Sequence, residues 1–164
     1  MFSLATATDT LTIVQGFSPA DGVAPKAGLV IGKNGVLYGT TSSGGASNAG
    51  TVFKIAGSTE TVLWSFTGQP DGAGPVAGLV IGGGGVLYGT TSSGGASNLG
   101  TVFKLAPPAS PGGLWTESVL HNFTGYDDGG DPVAGLAISK DGMLYGTTSK
   151  GGTSKAGTVF ALKP

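Results

Sequence analysis

Three loops of the sequence place an aspartate four residues before a proline: Asp21 before Pro25, Asp71 before Pro75 and Asp128 before Pro132, the last flanked by Asp127 and Asp131. Carboxylate oxygens gathered with backbone carbonyls are hard donors and suit Ca²⁺ better than Zn²⁺. The predicted metal ligands are therefore Asp21, Asp71, Asp127, Asp128 and Asp131. The same spacing has a structural reading. Asp-Gly ahead of Pro is ordinary turn chemistry, in which the carboxylate bonds nearby backbone. If a bound calcium ion polarises a carbonyl while a carboxylate activates water, Asp128 and Asp131 are the candidate catalytic residues for opening a small lactone or ester.

A second set of loops, residues 40–48 and 90–98, reads Thr-Thr-Ser-Ser-Gly-Gly-Ala-Ser-Asn in both copies. The hydroxyls and amides of Ser42, Ser43, Asn48, Ser92, Ser93 and Asn98 can bond a sugar or a carbonyl, which makes them the candidate substrate-binding residues. Their alternative is a solvated hairpin in which Gly supplies positive φ values. The Gly-Gly pairs are no phosphate loop, because Gly-Lys-Ser/Thr does not follow them. His121 is the only histidine, so a Ser-His-Asp triad has one possible base. Its setting, Val-Leu-His-Asn-Phe, reads as an outer strand and favours an edge-strand role over catalysis.

Composition narrows the function classes further. Of 164 residues 33 are Gly, which disfavours helices throughout and points to an all-β chain. Eight basic against nine acidic residues give a net charge of -1, and all eight bases are Lys. Without a basic surface or Arg forks, a nucleic-acid partner is not expected. With no Cys, disulfides and thiolate chemistry are excluded. No apolar run is long enough to cross a membrane as a helix, and residues 1–9 lack the basic and apolar regions of an export signal. A soluble chain is expected.

These loops belong to a repeat. Leu-Tyr-Gly-Thr-Thr occurs at 37–41, 87–91 and 144–148, offsets of 50 and 57 residues. Around it each copy carries Ala-Gly-Leu, a Gly-containing turn and, after the Gly/Ser loop, Gly-Thr-Val-Phe. A further strand-like stretch ending in Phe17, Phe66 or Phe123 precedes each copy. Four short strands per unit predict a propeller blade, with units over approximately 10–58, 59–108 and 109–164 of a single 1–164 repeat domain. Asn34-Gly35 and Asp141-Gly142 predict type I′ hairpin turns, replaced by Gly84-Gly85 in the second unit. Tyr38, Tyr88 and Tyr145 are expected between blades, and Trp64 and Trp115 in outer strands.

The order Asp-Gly, Pro, Ala-Gly-Leu, Leu-Tyr-Gly-Thr-Thr, Gly-Gly and Gly-Thr-Val-Phe-Lys, complete in the second unit, resembles the GloVer-type bacterial tandem-repeat family. It is also similar to NHL-like β-propeller repeats. The resemblance implies that residues 27–31 are innermost and the Phe-ending stretch outermost, and that the protein is secreted or at the cell surface. The chain then opens on an outer strand and runs one strand short in its third blade. This predicts a six-bladed ring formed by a homodimer, with residues 10–17 of each chain completing the last blade of the other. A fragment of a longer array is the alternative.

Two functions follow. A closed ring with one polar mouth suits a calcium-dependent hydrolase, similar at the level of fold to the calcium-dependent six-bladed propeller lactonases. A non-catalytic propeller that recognises a glycan, peptide or cell-surface partner is the other reading.

Overall fold

The computed structural model describes residues 10–110 and 112–164, so the reading of residues 1–9 lies outside the described residues. The described residues are all-β, with three small antiparallel sheets and two single-turn 3₁₀ segments. Sheet 1 holds β1 (Val30–Ile31), β2 (Leu37–Thr41), β3 (Thr51–Ala56) and β4 (Thr59–Ser65), paired in that order. Sheet 2 repeats it with β5 (Val80–Ile81), β6 (Leu87–Thr91), β7 (Thr101–Ala106) and β8 (Thr116–Asn122). Sheet 3 has three strands, β9 (Ala137–Ile138), β10 (Leu144–Thr148) and β11 (Thr158–Leu162).

Two expectations are corrected. Residues 10–17 are not a strand in the single chain, because among the described residues no strand lies beside them to accept a ladder. The Asp141-Gly142 turn is not type I′. Gly142 N–H donates to the Ser139 carbonyl (3.0 Å), and only Gly142 of the pair has a positive φ, which makes a type I turn closed by a glycine bulge. The first two turns do have both central residues at positive φ: Asn34 and Gly35, then Gly84 and Gly85.

The glycine in Leu-Tyr-Gly-Thr-Thr has a packing cause. A Cβ on Gly39 would lie 2.5 Å from Phe53 Cζ, and one on Gly89 would lie 2.6 Å from Phe103 Cζ. Each Phe lies across the bare backbone of the neighbouring strand, so no side chain fits there. The core runs between sheets. Val52 of sheet 1 is buried with Phe66, Leu79, Leu87 and Phe103, and Val102 of sheet 2 is buried with Phe123, Leu136 and Leu144. Backbone bonds also join the units, Gly74 N–H to the Ala49 carbonyl (2.9 Å) and Asp131 N–H to the Leu99 carbonyl (2.8 Å).

Candidate functional site

The loops that carry the aspartates lie beside the Gly/Ser loops, as isolated bridges Val23 to Ser43, Ala73 to Ser93 and Gly130 to Lys150 show. Within this end of the molecule the same construction recurs. The residue after each Phe donates backbone and hydroxyl to the loop aspartate. Ser18 Oγ reaches Asp21 Oδ2 at 2.5 Å, Thr67 Oγ1 reaches Asp71 Oδ1 at 2.6 Å, and Thr124 Oγ1 reaches Asp128 Oδ1 at 2.5 Å. In two units a ring nitrogen two residues before the Phe adds a third bond: Trp64 Nε1 donates to Asp71 Oδ2 (3.1 Å), and His121 Nε2 lies 3.0 Å from Asp128 Oδ2. Since ionised Asp128 can only accept, His121 carries its proton on Nε2.

This fixes the electrostatics. Burial pushes the Asp128 carboxyl up, but the Thr124 hydroxyl, the Thr124 N–H and His121 together hold it below the usual 3.8. The backbone carbonyls of these loops are also engaged. Thr51, Thr101 and Thr158 hydroxyls donate to the Asp21, Asp71 and Asp128 carbonyls at 2.9, 3.3 and 3.2 Å. Each of those threonines sits 2.8 to 2.9 Å, hydroxyl to hydroxyl, from the last Thr of Leu-Tyr-Gly-Thr-Thr.

The other candidates are placed as follows. Asp131 pairs with Lys150 (3.1 Å), and Asp127 is exposed at the rim of a cavity of about 200 Å³ that His121 and Asp128 also line. Ser42 and Ser43 donate to the Ala24 and Val23 carbonyls, and Ser92 and Ser93 to the Gly74 and Ala73 carbonyls. Asn48 and Asn98 accept from the Gly44 and Gly94 N–H groups. Among the described residues no group of three or more His, Asp or Glu side chains comes together as a metal site. The five aspartates are thus distributed over three loops, three of them with the same bonding plan.

One feature escaped the sequence reading. Tyr38 and Trp115 meet edge to face, ring centroids 6.1 Å apart at 62°, over a cleft of about 300 Å³. Its walls are Gly82, Gly84, Gly85, Ile81 and Lys33, at the end of the sheets away from the aspartate loops. The signal was the seven extra residues before the third repeat, 107–113, which begin at Pro107 and end two residues before Trp115. Spacing could not have joined Trp115 to Tyr38, since 77 residues separate them.

A model of the Gloeobacter/Verrucomicrobia repeat matches residues 1–164. No curated protein matches the chain at a significant level.

Proposed function

As the chain belongs to the Gloeobacter/Verrucomicrobia repeat family, we propose that it is a non-catalytic binding module of propeller type that takes a carbohydrate in the Tyr38 and Trp115 cleft. The observation that carries this reading is the cleft itself. Two aromatic rings set at an angle offer a stacking face, glycine walls let a ligand approach backbone groups, and Lys33 supplies a donor at the rim. The units are read as blades of a propeller completed by a second copy of the chain.

The aspartate end supports a structural part rather than catalysis. Asp21, Asp71 and Asp128 each close the loop that enters a unit, and the Ser and Asn side chains bond their own loops. Activation of water needs a base with a pKa near the working pH, and Asp128 is held, against burial, below the usual 3.8 by its Thr124 and His121 bonds, which makes it a weaker base.

Calorimetric titration with neutral and acetamido oligosaccharides tests the reading. Binding that Trp115→Ala weakens at least about tenfold, equivalent to about 1.4 kcal/mol, is expected. Equal affinity of parent and variant would refute the cleft. Calcium-dependent lactone or ester hydrolysis by Asp128 and Asp131 is the competing reading. Stoichiometric Ca²⁺ binding at micromolar concentration, lost in the Asp128→Asn and Asp131→Asn double variant, would establish that chemistry in its place.

A further inference from the structure

Each end of the molecule is half of the contact that joins its units. Val52 and Val102 are buried against the next unit's Phe and two leucines, whereas the equivalent Val159 on β11 is 81% exposed. At the opposite end Leu29 is 50% exposed, while its equivalents Leu79 and Leu136 are 5% and 7% exposed. Leu29 lines a cavity of about 370 Å³ with Phe17, Leu37, Phe53 and Ile55, the counterparts of the residues that cover Val52.

Residues 10–17 already lie where an outer strand of a preceding unit would lie. Phe17 meets Phe53 at 4.9 Å and 65°, as Phe66 meets Phe103 (5.1 Å, 66°) and Phe123 meets Phe160 (5.2 Å, 63°). Gln15 Nε2 donates to Glu60 Oε2 at 2.7 Å, tying the segment to sheet 1. Its sequence, Thr-Leu-Thr-Ile-Val-Gln-Gly-Phe, aligns without a gap on Thr-Glu-Thr-Val-Leu-Trp-Ser-Phe at 59–66 and Thr-Glu-Ser-Val-Leu-His-Asn-Phe at 116–123. Among the described residues the segment lacks a strand beside it and β11 lacks an outer neighbour.

The geometry points to a two-copy ring in which residues 10–17 of each chain pair with β11 of the other, a contact that rests on the propeller reading above. The internal ladders set the register. Phe53 faces Val62, Lys54 faces Thr61 and Ile55 faces Glu60, and the same pattern joins Phe103 to Val119, Lys104 to Ser118 and Leu105 to Glu117. Transferred to the open edge, Phe160 faces Ile13, Ala161 faces Thr12 and Leu162 faces Leu11. Leu11 and Ile13, 93% and 77% exposed in one chain, then enter the cavity of about 200 Å³ between Phe123, Phe160 and Leu162. Leu11 stands where both internal strands carry Glu. Glu60 and Glu117 each stand near a loop aspartate, Asp21 and Asp71, and are raised by burial and then by that charge, whereas Leu11 brings an apolar side chain beside Asp128 and avoids the repulsion. Val159 enters the Leu29 cavity of the second copy. The head-to-tail contact closes after two copies and leaves no unpaired edge at either seam.

Because the chain has no cysteine, a Thr12→Cys, Ala161→Cys variant reports this pairing alone. Mild oxidation is expected to yield a reducible dimer on a denaturing gel, since directly opposed strand residues have Cα separations that a disulfide spans. Val159→Lys is expected to sediment as a monomer with an unchanged far-ultraviolet circular dichroism spectrum, the side chain being exposed in the single chain. A disulfide closed within one chain, a parent protein that is monomeric at tens of micromolar, or a polymer that grows with concentration would overturn the ring. A dimer that binds no carbohydrate would uphold the ring and refute only the binding reading.

Discussion

Asp71 and Asp128 each accept a backbone N–H, a hydroxyl and a ring N–H, and the chemistry expected of them changes with that fact. A charge-assisted bond of this kind contributes more than a neutral one, so Asp128→Asn should lower stability by about 1–2 kcal/mol in urea unfolding. The carboxyl's pKa is depressed, so its contribution is present above the usual 3.8 and is lost as the pH falls through its lower folded value. Glu117 behaves in the opposite sense. Burial and then the nearby Asp71 raise it to about 7, and its Oε1 is buried with no partner among the described residues. A raised carboxyl favours the fold at low pH, and that advantage disappears as the pH rises through about 7. Glu117→Gln should therefore stabilise the protein at pH 8 by about 1 kcal/mol, after allowance for its half-exposed position, and have little effect at pH 4. Thermal unfolding at the two pH values checks the difference.

Strands and turns were the most legible level. Period, hairpin glycines and Phe-ending stretches located every paired strand, because each depends on local pattern. What pattern could not supply was the company a segment keeps: residues 10–17 read as a strand, like 61–66 and 117–123, yet a ladder needs a neighbour. The third turn failed for a smaller reason, since Asp-Gly serves a glycine bulge as readily as a type I′ turn. The aspartate loops were legible as turns through Asp-Gly and Pro. Their bonds to Trp64 and His121 also left a trace, since each lies seven residues ahead of its aspartate. The Tyr38 and Trp115 cleft left only the seven-residue insertion ahead of Trp115, because the contact itself is made between units. Within the strands, the Leu-Tyr-Gly-Thr-Thr glycine is the sharpest constraint. Gly89→Ala places Cβ 2.6 Å from the buried Phe103 ring and 2.9 Å from Leu79 Cδ2, and should cost about 1–3 kcal/mol in urea unfolding.

For the whole molecule, three similar sheets stack through one repeated contact, and the proposal extends that contact across chains. Stability in such arrays is a sum of units and their interfaces, so the end units gain most from a partner. Unfolding should accordingly shift to higher temperature with protein concentration in the parent and not in Val159→Lys, a direct consequence of mass action. The most direct measurement is native mass spectrometry of the full chain in calcium-containing buffer. The account predicts the mass of two chains with no calcium retained. A mass of one chain, or a dimer holding stoichiometric calcium, would contradict it.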